Sequence, residues 1–432
     1  MILHADLLGL LRDAKLNPDD LRPRQILADW LEEHGQPERA EFVRLQLVEP
    51  EDRERTHAIW WPRREVWGAG VARQGVGVHP QRGLFHVYGQ TERVLASAAR
   101  RGATRQTWAW VESVEISIFV PADLKRMGRL SAFHHLGGLR LKSQSGLSDA
   151  IVPRADWGRT VGDWSALARL PTLPHLCDLR IEHDDLGADG VALLAAGAPG
   201  NLRSLHLRGC NLDDRGLACL GDMPPLPHLS ELDLTQCRFG APGLAALAHW
   251  PGLASVQTLR IGANYPRAEG AAALARSPHR AALRTLDLSN APFGGDPPRE
   301  GQFLGDAGLE ALLDASPYAQ LRTLLLSSHQ LSPRAGEILA SANFAKLTHL
   351  DLSFNPIGDA GLRALLCAPW LSRVQVLNLR YTEIGAEGAT ALLESPPLEN
   401  ITHLELWANN SIPGPLREAL RVRFGERVLL PA

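Results

Sequence analysis

The sequence predicts an α/β fold in which strand–helix units stack, with parallel strands on the concave face and helices on the convex face. The first observation is a short strand pattern, because Leu350 and Leu352 alternate with polar residues. The second is a helical pattern behind it, in which Leu362 and Leu365 fall on one side. The third is that this pair of patterns recurs. A unit this small cannot close a core alone, so its neighbours must continue the apolar layer.

The recurrence keeps a constant register. Residues 347–357 read L-x-x-L-x-L-x-x-N-x-I, and most units begin 25 to 27 residues after the previous one. Two units are longer, at 40 and 38 residues. The first apolar strand positions are Leu84, Val111, Leu136, Leu176, Leu202, Leu229, Val256, Leu283, Leu321, Leu347, Val374 and Ile401. We expect the additional residues of the two longer units to form loops, over about 142–164 and 291–303. The loop over 142–164 carries the apolar residues Ile151, Val152 and Trp157, and we expect it to fold back onto the concave mouth.

This pattern resembles the leucine-rich repeat of the ribonuclease-inhibitor-like type, which is also the repeat type of the Ran GTPase-activating proteins. The resemblance covers about residues 111–406. It implies a leucine-rich-repeat solenoid that acts by binding other proteins.

Composition narrows the classes of partner. The chain has 432 residues, 45% of them hydrophobic and 22% charged, with a formal net charge of −3. No global field attracts nucleic acid or an anionic membrane. There is no run of 18 apolar residues, and the first residues lack the pattern of a signal peptide. We expect a cytoplasmic monomer without a cofactor.

Polar or small side chains recur where each strand turns towards its helix. They are Gln144, Asp184, Cys210, Cys237, Asn264, Ala291, His329, Asn355, Thr382 and Asn409. We expect them to bond the turn backbone, so His329 is interpreted as a turn residue rather than a ligand or base. The five cysteines form no C-x-x-C pair, and disulfides and zinc sites are not expected.

Residues 1–47 are predicted to form a small N-terminal helical domain. The stretch from Leu27 to Gln46, LADWLEEHGQPERAEFVRLQ, resembles the repeat-companion domain found at the N-terminus of many bacterial leucine-rich-repeat proteins. No activity follows from that resemblance. The charged residues Asp29, Glu32, Glu33, Arg39, Glu41 and Arg44 are interpreted as solvated pairs and caps rather than a catalytic cluster.

The remaining domain boundaries follow from where the repeats begin and end. Residues 48–83 are predicted to be a linker and N-terminal cap, in which Trp60, Trp61 and Trp67 cover the first strand. Residues 84–410 are the leucine-rich-repeat solenoid, and 411–432 a C-terminal cap. Seven helices carry a glycine near their start, which predicts close packing against a neighbour. They are Gly190, Gly216, Gly243, Gly270, Gly308, Gly361 and Gly388.

The outward strand positions predict a polarised concave face. Arg140, Arg180 and Arg208 make its N-terminal part basic, whereas Asp287 and later acidic residues mark its C-terminal part. Ordinary solubility explains the same residues equally well, so both interpretations stay open.

An aromatic patch is the most specific prediction. Phe354 and Tyr381 occupy the same position in successive units, and Trp407 lies one position earlier in the next. With Arg380 beside them, their composition is that of an interface hot spot. The alternative is that residues near Ile412 cover Trp407 as part of the cap.

Three classes of function follow. The first is a non-catalytic protein–protein interaction scaffold that binds its partner through the concave face. The alternative is a GTPase-activating-protein-like regulator of a small GTPase, which rests on the type of repeat alone. The third is an enzyme that uses His206, Asp233 and Arg260. Its only support is that these residues are expected on adjacent strands. No nucleotide, zinc-protease or hydrolase signature occurs in the sequence.

Overall fold

Short strands followed by helices recur along the chain, as a computed structural model shows. It describes residues 4–48, 52–68, 71–72, 75–100, 103–143, 162–290, 303–314, 318–395 and 398–430. The residue contacts divide the chain into two units, described separately below. The first comprises Met1–His206 and Leu226–Leu229, and the second Leu207–Pro225 and Ser230–Ala432.

The first unit begins with four helices, and its strands then pair in chain order. Its helices are α1 Ala5–Leu16, α2 Arg22–Glu33, α3 Pro37–Leu45, α4 Arg53–Trp67, α5 Thr91–Ala98, α6 Ala103–Trp108, α7 Asp123–Met127 and α8 Gly187–Ala196. Its strands are β1 Val76–Gln81, β2 Leu84–Gln90, β3 Val111–Phe119, β4 Gly138–Ser143, β5 Asp178–Glu182 and β6 Ser204–His206. Strand β1 is antiparallel to β2, and the pairs from β2 to β6 are parallel.

The second unit is a regular succession of strands and helices. Its strands are β7 Glu231–Asp233, β8 Thr258–Arg260, β9 Thr285–Asp287, β10 Thr323–Leu325, β11 His349–Asp351, β12 Val376–Asn378, β13 His403–Glu405 and β14 Val428–Leu429. Its helices are α9 Asp213–Gly221, α10 Ala241–His249, α11 Arg267–Ala275, α12 Gly305–Leu313, α13 Arg334–Ser341, α14 Gly358–Leu366, α15 Ala386–Glu394 and α16 Gly414–Phe424. Successive helices pack side by side, and the strands are parallel neighbours in chain order.

One buried leucine in each strand from β7 to β13 contributes to the core of the second unit. Leu350 is in register with Leu324 on one side and Leu377 on the other, and each of the three is at most 1% exposed. The same register continues to Leu404 in β13. Alternation puts this residue of each strand against the helices, so the predicted α/β repeat is confirmed.

The predicted turn ladder is confirmed in the second unit. The Asn355 side chain accepts hydrogen bonds from the backbone N–H groups of His329 and Leu331, at 2.8 and 3.1 Å, in the preceding turn. Its Nδ2 donates to the carbonyls of Leu326 and Leu352. Asn264 and Asn409 make equivalent bonds. Each amide therefore satisfies buried backbone groups of two turns. The ladder positions Gln144 and Ala291 lie outside the described residues.

His329 occupies the ladder as a neutral side chain. Its Nδ1 accepts a hydrogen bond from the N–H of Leu304 and also contacts Asn290 Nδ2, so its Nε2 carries the proton and donates to the Leu288 carbonyl at 2.7 Å. Burial lowers the pKa of His329 to about 4. The sequence interpretation as a turn residue is correct.

The predicted close packing of the helix glycines against a neighbouring repeat is confirmed for four of the seven, namely Gly243, Gly270, Gly361 and Gly388. A Cβ on Gly361 would lie 2.9 Å from the Cα of Pro333, in the helix region of the preceding repeat. A Cβ on Gly388 would lie 2.5 Å from Asp359 Oδ1. The prediction is wrong for Gly190, Gly216 and Gly308, where the obstacle is the leucine four residues earlier.

The N-terminal helices are anchored to the first strands. The fully buried Arg24 of α2 donates hydrogen bonds to Glu112 in β3, to the Arg82 carbonyl and to the Asn17 carbonyl. The domain boundaries placed after residues 47, 83 and 410 remain a prediction.

Residues 48–83 contain more regular structure than predicted, namely α4 and the strand β1. Trp60 packs on Phe85 of β2, with ring centroids 5.2 Å apart, as expected of a covering tryptophan. The same prediction is wrong for Trp61, which is 53% exposed. Trp67 packs edge-on against Phe42 of α3.

Surface pairs explain most of the N-terminal charges. Arg44 bonds Asp29 and Glu32 at 2.7 and 2.6 Å, which confirms the interpretation as solvated pairs. Arg39 differs, because its guanidinium carbon lies 3.4 Å from the ring centroid of Trp110 and burial lowers its pKa to about 9. The long inserts, including Ile151, fall outside the described residues.

Candidate partner-binding surface

Phe354, Tyr381 and Trp407 form one contiguous group, called here the aromatic cluster. The rings of Phe354 and Tyr381 are stacked, with centroids 4.5 Å apart and planes at 16°. The ring of Trp407 meets Tyr381 edge-on, at 5.4 Å and 77°. The structure therefore brings together the three side chains that the repeat register placed in neighbouring units.

Backbone hydrogen bonds between neighbouring turns position the cluster. The N–H of Phe354 donates to the Arg380 carbonyl at 2.8 Å, and that of Tyr381 to the Trp407 carbonyl at 3.2 Å. Both aromatic residues have positive φ, 57° and 52°. This conformation is uncommon for bulky residues. It belongs to the repeat, because His183, Gly209, Gln236, Ala263, Ser328 and Ala408 at the equivalent position share it.

The cluster is accessible. Tyr381 is 37% and Trp407 45% exposed, and Phe354 is half-buried. Ile412, by contrast, is buried. The described residues of the C-terminal segment therefore leave Trp407 open, contrary to the covered-cap alternative.

Arg380 completes the cluster. Its guanidinium carbon lies 5.9 Å from the Phe354 ring centroid and 5.3 Å from that of Trp407, within the range of a cation–π contact. Its Nη1 is 3.8 Å from Glu405 Oε2. This arginine bridges the two outer rings and holds a partly compensated positive charge beside apolar surface.

The predicted basic residues do not form one cluster of free charges. Arg140 and Arg180, in the first unit, both bond Asp178, at 3.2 and 3.0 Å. Lys142 pairs with Glu115 at 2.9 Å. Arg208 is exposed and belongs to the second unit. The positive charge of β4 and β5 is therefore compensated locally.

The acidic strand residues have a structural role that the sequence analysis missed. Asp351 accepts a hydrogen bond from the N–H of Ser353 at 2.8 Å, and Asp287 from that of Ser289 at 2.9 Å. Asp233 does the same with Thr235. Short polar side chains commonly bond the backbone two residues on, so the spacing D-x-S/T was the available signal. Burial raises the pKa of Asp287.

The catalytic interpretation finds no support in this geometry. Arg260 pairs with Glu231, and Asp233 is engaged by Thr235. Among the described residues no group of three or more histidine, cysteine or acidic side chains is arranged to hold a metal ion. Within the same residues, no helix is long and apolar enough to cross a membrane.

The repeated strand and helix, the turn ladder and the leucine core are those of a leucine-rich-repeat fold. A family model described as a leucine-rich repeat matches residues 201–221, 226–248, 345–366 and 374–393. No curated protein matches the chain by sequence.

Two solved structures illustrate the comparison by fold. A chain of the mouse RP105/MD-1 complex is 18% identical with a TM-score of 0.38, over 79% of this chain and 56% of that one. This chain thus spans little more than half the length of that relative. A chain of the yeast Rad7 and Elc1 complex is 14% identical with a TM-score of 0.38, over 99% of this chain and 92% of that one.

Proposed function

We propose that this protein is a non-catalytic interaction scaffold that binds a protein partner through the concave strand face of its repeats. The aromatic cluster, with Arg380, is the proposed hot spot. The observation that carries the proposal is that Tyr381 and Trp407 touch each other and are both exposed.

The physical argument concerns apolar surface that is exposed to water. Exposed aromatic rings leave apolar surface in water, and a partner that covers them gains about 25 cal/mol per Å² of that surface. The stacked rings of Phe354 and Tyr381 are already held by neighbouring turns. Less side-chain freedom is therefore lost on binding. Tryptophan, tyrosine and arginine are also the residue types that dominate measured hot spots.

Arg140, Arg180 and Arg208 have a lesser role in this proposal. Charges at the edge of an interface alter the rate of association and its salt dependence more than the affinity. We propose that they steer an acidic partner rather than anchor it.

The test is capture of partners from the native cell with the full chain and with Trp407→Ala. We expect Trp407→Ala to lose captured protein without a change in melting temperature, because the side chain is exposed. Trp61→Ala, which removes a similarly exposed tryptophan of α4, is the matched control. If Trp407→Ala has a much lower melting temperature yet captures the same partners, the binding assignment is wrong. A small GTPase among those partners would instead favour the GTPase-activating-protein-like alternative.

A further inference from the structure

Acidic side chains recur on every second strand of the second unit. The residue that follows the buried leucine of each strand from β7 to β13 is in register with its counterparts in the neighbouring strands. In chain order these residues are Asp233, Arg260, Asp287, Leu325, Asp351, Asn378 and Glu405. Acidic residues therefore alternate with residues of other types. We name Asp233, Asp287, Asp351 and Glu405 the acidic row.

Three members of the acidic row are held by the same local hydrogen bond. In Asp233, Asp287 and Asp351, Oδ1 accepts a hydrogen bond from the backbone N–H two residues later, at 2.8 to 2.9 Å. These carboxylates therefore have equivalent positions on their strands. Neighbouring strands lie about 4.8 Å apart, so carboxylates on every second strand are spaced by about 9.6 Å.

The acidic row carries negative charge that the neighbouring residues compensate only in part. Arg260 lies between two of its members, but it already pairs with Glu231. Among the residues that the structure describes, no ion pair engages Asp287 or Asp351. Glu405 has only Arg380, at 3.8 Å. This surface therefore favours a partner with positive charges.

The spacing of the acidic row selects a backbone conformation for such a partner. A polyproline II helix has three residues per turn and rises about 3.1 Å per residue, so every third residue returns to the same face after about 9.3 Å. An extended strand returns to the same face after about 6.7 Å. Two turns of an α-helix take about 10.8 Å. Across the whole acidic row, polyproline II drifts out of register by about 1 Å and the α-helix by nearly about 4 Å.

The aromatic cluster adjoins the acidic row and suits the same conformation. Trp407 follows Glu405 by two residues, and Phe354 follows Asp351 by three. Proline-rich segments bind to aromatic surfaces of this kind. Addition of a partner strand is excluded here, because β12 is paired on both sides.

The polar atoms of the aromatic cluster also fit a proline-rich segment. Among the described residues, no side-chain hydrogen bond engages Trp407 Nε1 or Tyr381 Oη. Both groups can donate. The carbonyls of a polyproline II segment are free to accept, because this conformation has no internal hydrogen bonds. An amphipathic α-helix has satisfied its own backbone, and its apolar face would leave both donors without a partner.

We propose that the second unit binds a partner segment in the polyproline II conformation, with a lysine or arginine at every third position along the acidic row and prolines against the aromatic cluster. The inference rests on the function proposed above and names the class of partner segment. An acidic part of the same partner would meet Arg140 and Arg180, so the two proposals concern different parts of that partner.

The experiment is calorimetric titration of the full chain with a synthetic peptide of repeated Pro-Pro-Lys units, at constant ionic strength. Three control peptides have the same length. The first replaces lysine by glutamate, the second keeps the composition but places all lysines together, and the third replaces proline by alanine. The Pro-Pro-Lys peptide should bind at least about tenfold more tightly than each control, because it alone combines positive charge, proline and the spacing of the acidic row.

Two variants of the protein test the two parts of the surface. Asp287→Asn keeps an oxygen for the Ser289 N–H but removes the charge, and Trp407→Phe keeps a ring but removes the donor. Each should weaken binding of the Pro-Pro-Lys peptide by about tenfold. Glu394→Gln, at an exposed acid of α15, and Trp61→Phe are the matched controls and should leave the affinity unchanged. If Asp287→Asn lowers the melting temperature, Glu405→Gln takes its place.

The remaining outcomes overturn the proposal. No binding of the Pro-Pro-Lys peptide, equal affinity for a control peptide, or an affinity that both test variants leave unchanged would show that the segment is not of this class. The capture experiment with Trp407→Ala keeps this failure distinct from failure of the proposed function. If Trp407→Ala loses its captured partners while the peptide does not bind, the scaffold function stands and only the proline-rich class is wrong.

Discussion

Asp359 of α14 accepts a hydrogen bond from the backbone N–H of Gly385, at 2.6 Å, and so caps the helix of the next repeat. In the same way, Asp214 accepts a hydrogen bond at 2.7 Å from the N–H of Gly240, which lies 26 residues after it in the chain. A carboxylate at a helix N-terminus satisfies an unpaired donor and interacts favourably with the helix dipole. In these two pairs the earlier repeat supplies a cap to the helix of the next one.

Gly388→Ala should destabilise the second unit, because the new Cβ would meet Asp359 Oδ1 at 2.5 Å. We expect a loss of about 1–3 kcal/mol in the free energy of unfolding, as for other overpacked sites. Chemical denaturation measures it. Asp359→Ala should cost about 1 kcal/mol alone, and the double variant should lose less than the sum. Gly414→Ala, with no atom within 4 Å of its Cβ, is the control. Equal effects of the two glycine changes would contradict the prediction.

Leu350→Ala should cost about 2–5 kcal/mol, because the side chain fills the core between two strands and a cavity would remain. Leu350 is 1% exposed. The neighbouring Leu325 is only half-buried, and Leu325→Ala should cost clearly less. Denaturation midpoints of the two variants compare them directly. A change under about 1 kcal/mol for Leu350→Ala would be inconsistent with its burial.

His329 should make stability depend on pH. Its pKa is lowered from 6.5 to about 4 in the folded chain. Between those values the unfolded chain binds more protons, so stability is present above pH 6.5 and is lost as the pH falls towards 4. The loss from this group is up to about 3 kcal/mol. His329→Asn, which restores the residue type of the ladder, should flatten the stability profile in that window. Parallel profiles for the two chains would show that His329 does not carry the effect.

Arg24→Ala should be severely destabilising, because it leaves Glu112 in a buried site without its partner. Burial already raises the pKa of that carboxyl group, and Arg24 opposes the shift. Breaking a buried ion pair costs about 3–5 kcal/mol, whereas replacing both partners costs much less. Arg24→Met combined with Glu112→Leu should therefore melt well above Arg24→Ala. If the double variant is the less stable of the two, the buried pair is not the reason.

The site could be predicted in part. Phe354 and Tyr381 occupy the same position in successive repeats. That equivalence was enough to place them side by side, because parallel strands in register stack equivalent residues. The solvent exposure of Trp407 could not be predicted from its position, since a cap can cover a residue of a terminal repeat or leave it exposed. The bonding of Asp351 and Asp287 to their own turns was also missed, because a polar residue on a strand looks the same whether solvated or anchored.

The sequence by itself determined the repeat, its register, the leucine core around Leu350 and the turn ladder of Asn355, because each depends on a period that is visible within a few dozen residues. Only the tertiary structure decided that Arg24 reaches Glu112, 88 residues away. It also decided that Asp359 caps the following helix. Hydrophobic periodicity is a local property of the chain, whereas the meeting of particular charged groups depends on which surfaces packing brings together.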